Sequence, residues 1–483
     1  MTDLDARTRW LALYVLCLAS LMIVLDVTIV GVALPSIKDD LGFSDTSLAW
    51  VVNAYLLTYG GFLLLGGRLG DLYGNRRLFL IGISLFTVAS LACGLSTSQG
   101  FLVAARGVQG LGGAIASAVS LSLMVNLFTE PGERAKAMGI FGFVASGGGS
   151  IGVLLGGIIT DVISWHWIFL VNVPIGALVV FLSLRWLPET NLGKSVRLDV
   201  GGAITVTAAL VIAVYAIVNA NEKGWTSLHT LGLLGLAAAI FGVFLLTETR
   251  VKAPLVPLAL FKLRNLATAD VVGVLWAGAM FAWFFLTALY MQLVLGYSPL
   301  AIGLAFLPGN LIMGVLSIGV SAKLVMRYGF RLPLAAGLAL AGLGLLWLAR
   351  APVDGNYLVD IFPSMVLLGL GAGIAFNPVL LAAMSDVAPQ EAGLASGIIN
   401  TSFMMGGALG LAVLASVADS RTSNLLDAGH SQVAALTGGY HAAFLIGAIF
   451  AGGAAAIGGL LLRNQEMPAH AAEGEPELEA EAA

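Results

Sequence analysis

Residues 11–34 read LALYVLCLASLMIVLDVTIVGVAL, an apolar run in which Asp26 is the single charged side chain. A helix needs about 20 apolar residues to cross the ~30 Å hydrocarbon core of a bilayer, and this run is long enough. It exceeds the roughly 7–15 apolar residues of a cleavable signal peptide, and a second apolar run follows it closely. The run is therefore predicted to be a membrane-spanning helix.

The composition extends this prediction to the whole chain. Of the 483 residues, 59% are hydrophobic and 10% are charged, and the mean hydropathy is +0.96. Soluble proteins carry about 25% charged residues, so this chain has too few charges to cover a water-facing surface. The net charge of −4 provides no basic footprint for nucleic acid, and the two cysteines, Cys17 and Cys93, lie in apolar runs. These features exclude a soluble enzyme, a disordered scaffold and a nucleic-acid binder.

Fourteen apolar segments are long enough to span a bilayer, which predicts an all-α membrane protein. They are predicted at residues 11–34, 47–67, 78–95, 101–128, 137–160, 168–187, 200–220, 231–247, 266–293, 300–323, 332–348, 361–384, 393–418 and 442–462.

The positions of Lys and Arg predict the orientation, because cytoplasmic loops are enriched in these residues. With the N-terminus inside, 18 of the 23 Lys and Arg residues fall on the inner side, four fall outside and Arg106 lies within a span. A multi-pass cell-membrane protein with both termini in the cytoplasm is therefore predicted. Residues 464–483 are acidic and Ala-rich, and they are predicted to form a disordered tail.

Two loops repeat each other at an offset of 255 residues. Residues 68–76 read RLGDLYGNR and residues 323–331 read KLVMRYGFR, with a leading base, Leu, Tyr, Gly and a final Arg in common. The offset relates spans 1–6 to spans 9–14 and leaves spans 7 and 8 as an insertion. Parallel six-span halves are typical of transporters, with the substrate site between them. The predicted units are an N-terminal six-helix bundle (1–190), two inserted helices (191–264), a C-terminal six-helix bundle (265–463) and the tail (464–483).

Asp26 in the first span and Arg106 in the fourth are costly residues at membrane depth. A carboxylate there costs at least ~2.5 kcal/mol and usually faces a cavity or a partner. At ~1.5 Å of rise per residue, both side chains lie roughly 24 Å above the inner face, so they could meet. One interpretation is an ion pair that only stabilises the bundle. The other is a proton site, at which a moving cavity changes the burial and charge around the carboxyl group.

Glycines and charges mark two further segments. Gly148, Gly152 and Gly156 recur at every fourth position of the fifth span, a spacing that lets helix backbones touch.

The loop between spans 2 and 3 carries the predicted inner gating residues Gly67, Arg68, Gly70, Asp71, Gly74, Arg76 and Arg77. Anchoring on the cytoplasmic side explains the bases. Asp71 could pair with a base or a helix N-terminus of the neighbouring bundle and form an inner latch.

Motifs for nucleotide or metal chemistry are absent from the sequence. There is no Walker A lysine pattern, no H-E-x-x-H and no paired-Cys metal spacing. An ATP-driven pump and an enzyme are therefore not predicted, and neither a metal nor an organic cofactor is expected.

Several motifs together resemble the major facilitator superfamily, specifically its fourteen-span drug:proton antiporter branch. Residues 25–35 (LDVTIVGVALP) resemble the branch's first-span motif, and residues 67–77 (GRLGDLYGNRR) resemble the superfamily's gating motif. Residues 106–114 (RGVQGLGGA) are similar to the fourth-span motif, whose Arg is tied to proton coupling. Residues 165–176 (WHWIFLVNVPIG) are similar to the branch's entry into span six.

The glycines of the fifth span resemble the antiporter motif, which is associated with exporters. The matching residues are Gly139, Gly148, Gly152, Gly156 and Gly157, with Val153 where the motif usually has Pro.

The resemblance also implies that spans 1, 4, 9 and 12 line the substrate cavity. The candidate substrate-binding residues are aromatic or amide side chains: Asn53, Tyr55, Gln109, Trp276, Phe281, Trp283, Phe284, Tyr290, Gln292, Phe376 and Asn377. Aromatic faces with a few amides suit flat lipophilic cations. Because Asp26 is taken as the only deeply placed carboxylate, monovalent or neutral substrates are expected.

The sequence thus predicts a secondary exporter that exchanges inward protons for outward drugs, dyes or antiseptics by alternating access. Asp26 and Arg106 form the predicted proton-coupling site, and the proton gradient is the expected energy source. The expected partners are a small lipophilic substrate, protons and the lipid bilayer. Two alternatives stay open: export of an endogenous metabolite or lipid precursor, and an uncoupled facilitator in which Asp26 only pairs with Arg106.

Overall fold

The chain is described by a computed structural model that covers residues 5–128, 130–188, 199–251, 254–387 and 392–464. Within these ranges all regular secondary structure is helical. The α-helices are α1 Ala6–Leu41, α2 Asp45–Tyr73, α3 Asn75–Gly94, α4 Gln99–Leu127, α5 Pro131–Val162, α6 His166–Leu170, α7 Asn172–Trp186, α8 Val200–Lys223, α9 Leu228–Arg250, α10 Arg264–Leu289, α11 Pro299–Val315, α12 Ser321–Tyr328, α13 Arg331–Leu348, α14 Phe362–Ser385, α15 Ala392–Asp427 and α16 Gln432–Leu461. The predicted tail lies outside the described residues from residue 465 onward. We call the side on which α1 begins the inner side and the opposite side the outer side.

The helices confirm the all-α architecture with about fourteen spans. Twelve segments of the described chain are long and apolar enough to cross a membrane. A further span is α5, and another runs from α11 through the π-helical turn Leu316–Val320 into α12. The predicted sixth span is broken at Val171 into α6 and α7. The first helix extends beyond its predicted end to Leu41, with Pro35 inside it.

The loop repeat has a structural counterpart at two glycines that are 255 residues apart. Gly74 ends α2 with a φ of 90°, and Gly329 ends α12 with a φ of 71°. L-residues with a side chain rarely adopt such angles, whereas glycine does so at little cost. In both halves, therefore, a helix ends at a glycine with a positive φ shortly before the next helix begins.

Helices within each half pack backbone against backbone at glycines. A Cβ atom added to Gly112 of α4 would lie 2.5 Å from the Phe86 backbone nitrogen of α3. In the other half, a Cβ atom on Gly410 of α15 would lie 2.2 Å from the Gly278 Cα of α10. Small residues permit this close approach, which brings polar side chains of neighbouring helices within hydrogen-bond distance.

Contacts between the halves occur on both sides of the molecule. On the outer side, α5 packs against the start of α11, where Gly157 touches Pro299 and Leu300. Deeper in the molecule, α2 packs against α15, where Gly60 touches Met404. These two interfaces must change if the halves move relative to each other.

The inserted helix α8 lies against both α2 and α15. Near its outer end, the Asn221 amide donates hydrogen bonds of 2.8 Å to the Ser416 carbonyl and to Asp419 of α15. Closer to its inner end, Thr207 contacts Gly61 of α2. The insertion therefore follows the line along which helices of the two halves meet.

Candidate functional site

Asp26 and Arg106 form a buried ion pair in the N-terminal half. An Arg106 Nη1–Asp26 Oδ2 distance of 2.6 Å joins α1 to α4, and both side chains are at most 2% exposed. Each residue lies well inside its helix, as the heights estimated from the sequence require. The structure thus brings together the two costly residues that the sequence singled out.

The Asp26 carboxylate accepts two further side-chain hydrogen bonds. Gln109 of α4 donates to Oδ1 at 2.7 Å, and Asn172 of α7 donates to the same oxygen at 2.9 Å. Ser90 of α3 in turn accepts from the Gln109 amide at 2.6 Å. Donors of this kind stabilise the anionic form of a carboxyl group. The Asp26 carboxylate therefore accepts hydrogen bonds from side chains of two helices, α4 and α7, in this arrangement.

Arg106 also makes hydrogen bonds and aromatic contacts with residues other than Asp26. Its Nε donates to the Val51 carbonyl of α2 at 2.9 Å, and Nη1 also donates to the Gln109 side-chain oxygen. The guanidinium carbon lies 4.4 Å from the centre of the Tyr55 ring and 5.6 Å from that of Phe169. Arginine over an aromatic face gains a cation–π contribution that is larger where water is excluded. Tyr55 and Gln109, two of the predicted substrate-binding residues, thus contact the ion pair directly.

Sequence reasoning did not assign a role to Asn172 or Ser90. Asn172 lies within the motif-like segment 165–176, which was the available signal, whereas Ser90 had none. Both side chains are fully buried. Their contribution depends on how α3 and α7 pack around α1, which no spacing within one helix reveals.

The glycines of the fifth span position the helix that carries Asp26. Cβ atoms added to Gly152 and Gly156 would lie 3.0 Å from the Leu25 carbonyl and 2.8 Å from the Ile29 carbonyl of α1. Gly148 touches Leu21 and Val24 of the same helix. Gly139 lies in a part of α5 whose surroundings are not among the described residues. Gly157 faces α11 of the other half instead of α1.

Of the predicted inner gating residues, Arg68 bonds to the segment after the inserted helices, whereas Arg76 bonds within the N-terminal half. The Arg68 guanidinium donates to the Pro254 carbonyl, in the segment that follows the inserted helices, and Arg76 donates to the Leu184 carbonyl of α7 at 2.7 Å. Gly70 packs tightly against Asn75, and Arg77 is exposed. Gly67 is in loose contact with Ala118. The Asp71 side chain lies outside the described residues, so the inner latch stays a prediction.

Three of the aromatic residues predicted to bind substrate are buried in helix packing in this arrangement, so their role in binding stays a prediction. Trp276, Trp283 and Tyr290 are each 1% exposed. The Trp283 ring lies 4.3 Å from Phe284 and 6.2 Å from Phe306 of α11, measured between ring centres. The Tyr290 hydroxyl donates to the Pro352 carbonyl at 2.6 Å. Trp276 and Trp283 lie on α10, which packs against α15, α16 and α14, and Tyr290 begins the π-helical turn that follows α10.

A different aromatic cluster lies where α10, α14 and α15 meet. Phe281 and Phe376, both predicted, lie 6.1 Å and 6.4 Å from Phe403, and Phe376 is 50% exposed. We call Phe281, Phe376 and Phe403 the aromatic cluster. Its exposed ring is available to a flat apolar ligand.

The amide side chains predicted to bind substrate differ in how many hydrogen bonds they make in this structure. Asn377 donates to the Ser317 carbonyl at 2.6 Å. Asn53 is fully buried, and neither polar atom of its amide has a hydrogen-bond partner among the described residues. The Gln292 side-chain oxygen also has no partner within that part of the chain. Asn53 is thus the predicted amide whose hydrogen-bonding capacity is entirely unused.

A second carboxylate, Asp270, is buried in a membrane-spanning helix, although it lies nearer to the inner end of its helix than Asp26 does. Asp270 lies six residues inside α10 and is 5% exposed, and neither carboxyl oxygen has a hydrogen-bond partner with normal geometry among the described residues. Its position near the start of a predicted span concealed it, because residues near span ends usually reach the interface. Here α10 is covered by α15, which buries the side chain.

Long apolar helices and an ion pair buried within the N-terminal half define a polytopic membrane protein of the transporter type. The family model described as Major Facilitator Superfamily matches residues 16–411. The chain belongs to the Major Facilitator Superfamily.

Curated relatives and solved structures agree with this assignment. The chain is 40% identical over 437 residues to the puromycin resistance protein pur8 of Streptomyces alboniger, a match that covers 90% of this chain and 86% of that protein. It is 41% identical over 426 residues to the cephamycin export protein CmcT of Amycolatopsis lactamdurans, with 86% of each chain covered. A bacterial homologue of the human lysosomal transporter Spinster, solved in an inward-facing and unoccupied conformation, has the same fold with a TM-score of 0.68 at 16% identity. That match covers 95% of this chain and 98% of the solved one.

Proposed function

We propose that this protein is a proton-coupled exporter of lipophilic drugs, with both termini on the cytoplasmic side of the cell membrane. The observation that carries the proposal is the Asp26–Arg106 pair, buried in the bilayer-spanning part of the N-terminal half. Changes in the burial and charge around a carboxyl group change its affinity for a proton, so a movement that alters this pair can load or release one. The printed names of relatives, which refer to antibiotic resistance and export, support a drug as the substrate.

Alternating access would couple the proton to the substrate through the two interfaces between the halves. Opening on the outer side separates α5 from α11, and opening on the inner side changes the packing of α2 on α15. Because α5 touches α1 on both sides of Asp26, such a movement reaches the carboxyl group directly. In this proposal the exposed Phe376 ring of the aromatic cluster contacts a flat lipophilic substrate, and the buried Asn53 amide reaches the substrate only after the helices around it move.

Asp26→Asn is expected to abolish transport driven by a pH gradient, because an amide side chain does not ionise and so cannot bind and release a proton between the two sides of the membrane. The measurement uses vesicles that contain the purified protein, an imposed pH gradient, and ethidium or puromycin as the probe. Asp427→Asn is the matched control, since Asp427 is exposed at the outer end of α15, and it should transport like the wild type. Equal gradient-driven transport by Asp26→Asn and wild type would show that the ion pair is only structural.

Export of an endogenous product, such as a self-made antibiotic, is the second candidate, and a relative whose name refers to the export of one compound, cephamycin, is consistent with a specific exporter. The same vesicles separate the two, because a drug exporter moves ethidium and puromycin. A specific exporter would move neither, although the wild-type protein is folded. An uncoupled facilitator would move a probe at the same rate with and without the gradient.

A further inference from the structure

We infer that Asn172 is a positioning residue that sets how tightly Asp26 holds its proton. The inference rests on the proposed function, since it concerns the same proton site. Asn172 does not take up a proton itself, and it acts through the hydrogen bond that its amide donates to Asp26 Oδ1.

In the arrangement seen here, the amide of Asn172 presents its N–H donor to Asp26, which favours the anionic form of the carboxyl group. Its nitrogen lies 2.9 Å from the Asp26 oxygen and 3.4 Å from the Ser90 hydroxyl, while its own oxygen has no partner within the described chain. Turning the amide over would place that oxygen against the carboxylate, which is repulsive. The donor therefore stabilises the anion, and it does less for the neutral acid.

Asn172 lies where the sixth span passes from α6 to α7. It is the first residue of α7, and Val171, which separates the two helices, keeps helical backbone angles with a φ of −60° and a ψ of −26°. The packing of α7 against α1 and α3 therefore sets the position of the donor relative to Asp26.

The same segment covers both members of the ion pair. Phe169 of α6 lies over the Arg106 guanidinium, and Asn172 binds the Asp26 carboxylate on the other side of Val171. Trp165 meets Phe169 edge to face at 6.3 Å, and its indole N–H donates to Asp40 at the outer end of α1 at 2.9 Å. The segment is thus tied to the outer end of the helix that carries Asp26.

Few other ionisable groups face Asp26, so the amide is a substantial part of its surroundings. They are Arg106 of α4, the Tyr55 hydroxyl of α2 and the Cys93 thiol of α3. The described part of α5 presents glycines, and α11 has no titratable side chain. The ionisable residues of α10, Arg264 and Asp270, lie near its inner end. Removing the amide therefore leaves Arg106 and Gln109 as the donors to the carboxylate.

Asn172→Leu is expected to make Asp26 take up its proton about one pH unit higher than in the wild type. A hydrogen bond to a charged group contributes enough to change proton affinity by about tenfold. The direct measurement is an infrared titration of the protonated carboxyl band, identified as the band that Asp26→Asn removes. The pH profile of ethidium transport should move in the same direction. Asn219→Leu is the matched control, because the Asn219 amide bonds only to the Tyr215 carbonyl of its own helix among the described contacts.

The outcomes separate this inference from the proposed function. An unchanged carboxyl titration in a folded Asn172→Leu protein overturns the inference, even where Asp26→Asn abolishes coupled transport. A shifted titration supports it, even where Asp26→Asn transports like the wild type and the proposed function fails. If Asn172→Leu does not fold, Asn172→Asp replaces it. The second carboxyl group should then raise the upper titration midpoint further, because two adjacent carboxylates resist ionising together.

Discussion

Replacing Arg106 by Leu is expected to destabilise the folded protein by about 3–5 kcal/mol, because the substitution leaves a buried carboxylate without its counter-ion. Asp26 would keep two amide donors but no positive charge at 2.6 Å. The Val51 carbonyl would also lose the hydrogen bond that Arg106 donates. The expected loss of stability is larger than that caused by removing an uncharged side chain of the same size, because the unpaired Asp26 carboxylate is poorly solvated in a water-poor site.

The measurement is a thermal melt in detergent with a thiol-reactive dye, since Cys17 and Cys93 are both free and buried and become reactive on unfolding. Arg350→Leu is the control, because Arg350 is exposed and stacks on the Trp347 ring at 3.6 Å. The double replacement Asp26→Leu with Arg106→Leu should recover much of the lost stability, as apolar groups of similar volume often do for a buried pair. A single variant as stable as the wild type would contradict the assignment of Asp26 as an anion.

Gly157→Ala is expected to reduce transport about tenfold or more, with little effect on the melting temperature. The added Cβ atom would lie 2.7 Å from the Pro299 carbonyl oxygen and 3.1 Å from the Leu300 Cα of α11. Both neighbours are backbone atoms, so the two helices must separate. Overpacking costs about 1–3 kcal/mol, and this cost falls on the arrangement in which α5 and α11 are in contact. Because that contact joins the two halves, the cycle is affected more than the stability of either bundle.

Gly149→Ala is the matched control for this position. It lies two turns away in the same helix, and a Cβ atom there would meet only Thr28, at 3.8 Å. Both variants are compared in the ethidium assay and by thermal melt. Wild-type transport by Gly157→Ala would show that the close approach of α5 and α11 is not part of the cycle.

Much of the site was predictable because membrane burial imposes costs that are visible in sequence. A charged residue within an apolar run is recognisable without coordinates, and helical rise gives its depth. Asp26 and Arg106 therefore emerged as residues at matching height. The Gly74 and Gly329 turns were likewise recognisable from the loop repeat.

The surroundings of a side chain depend on the rotation of its helix about its axis, and the sequence did not predict this rotation. Trp276 and Trp283 were assigned to an open cavity, but the rotation of α10 directs both rings into packing. The hydropathy pattern carries no information about rotation, because lipid-facing and protein-facing sides of a span are both apolar. For the same reason, the hydropathy pattern did not predict that the Asp270 side chain faces other helices and is buried.

The sequence by itself determined the approximate number of spans, the membrane environment, the loop repeat and the pair of charged residues, Asp26 and Arg106, within the spans. These follow from local hydrophobicity and helical rise, which do not depend on how helices are arranged. Only the tertiary structure decided that Asn172 and Gln109 complete the Asp26 site and that α8 lies against both α2 and α15. Those contacts join residues far apart in the chain, and they depend on which faces of the helices meet.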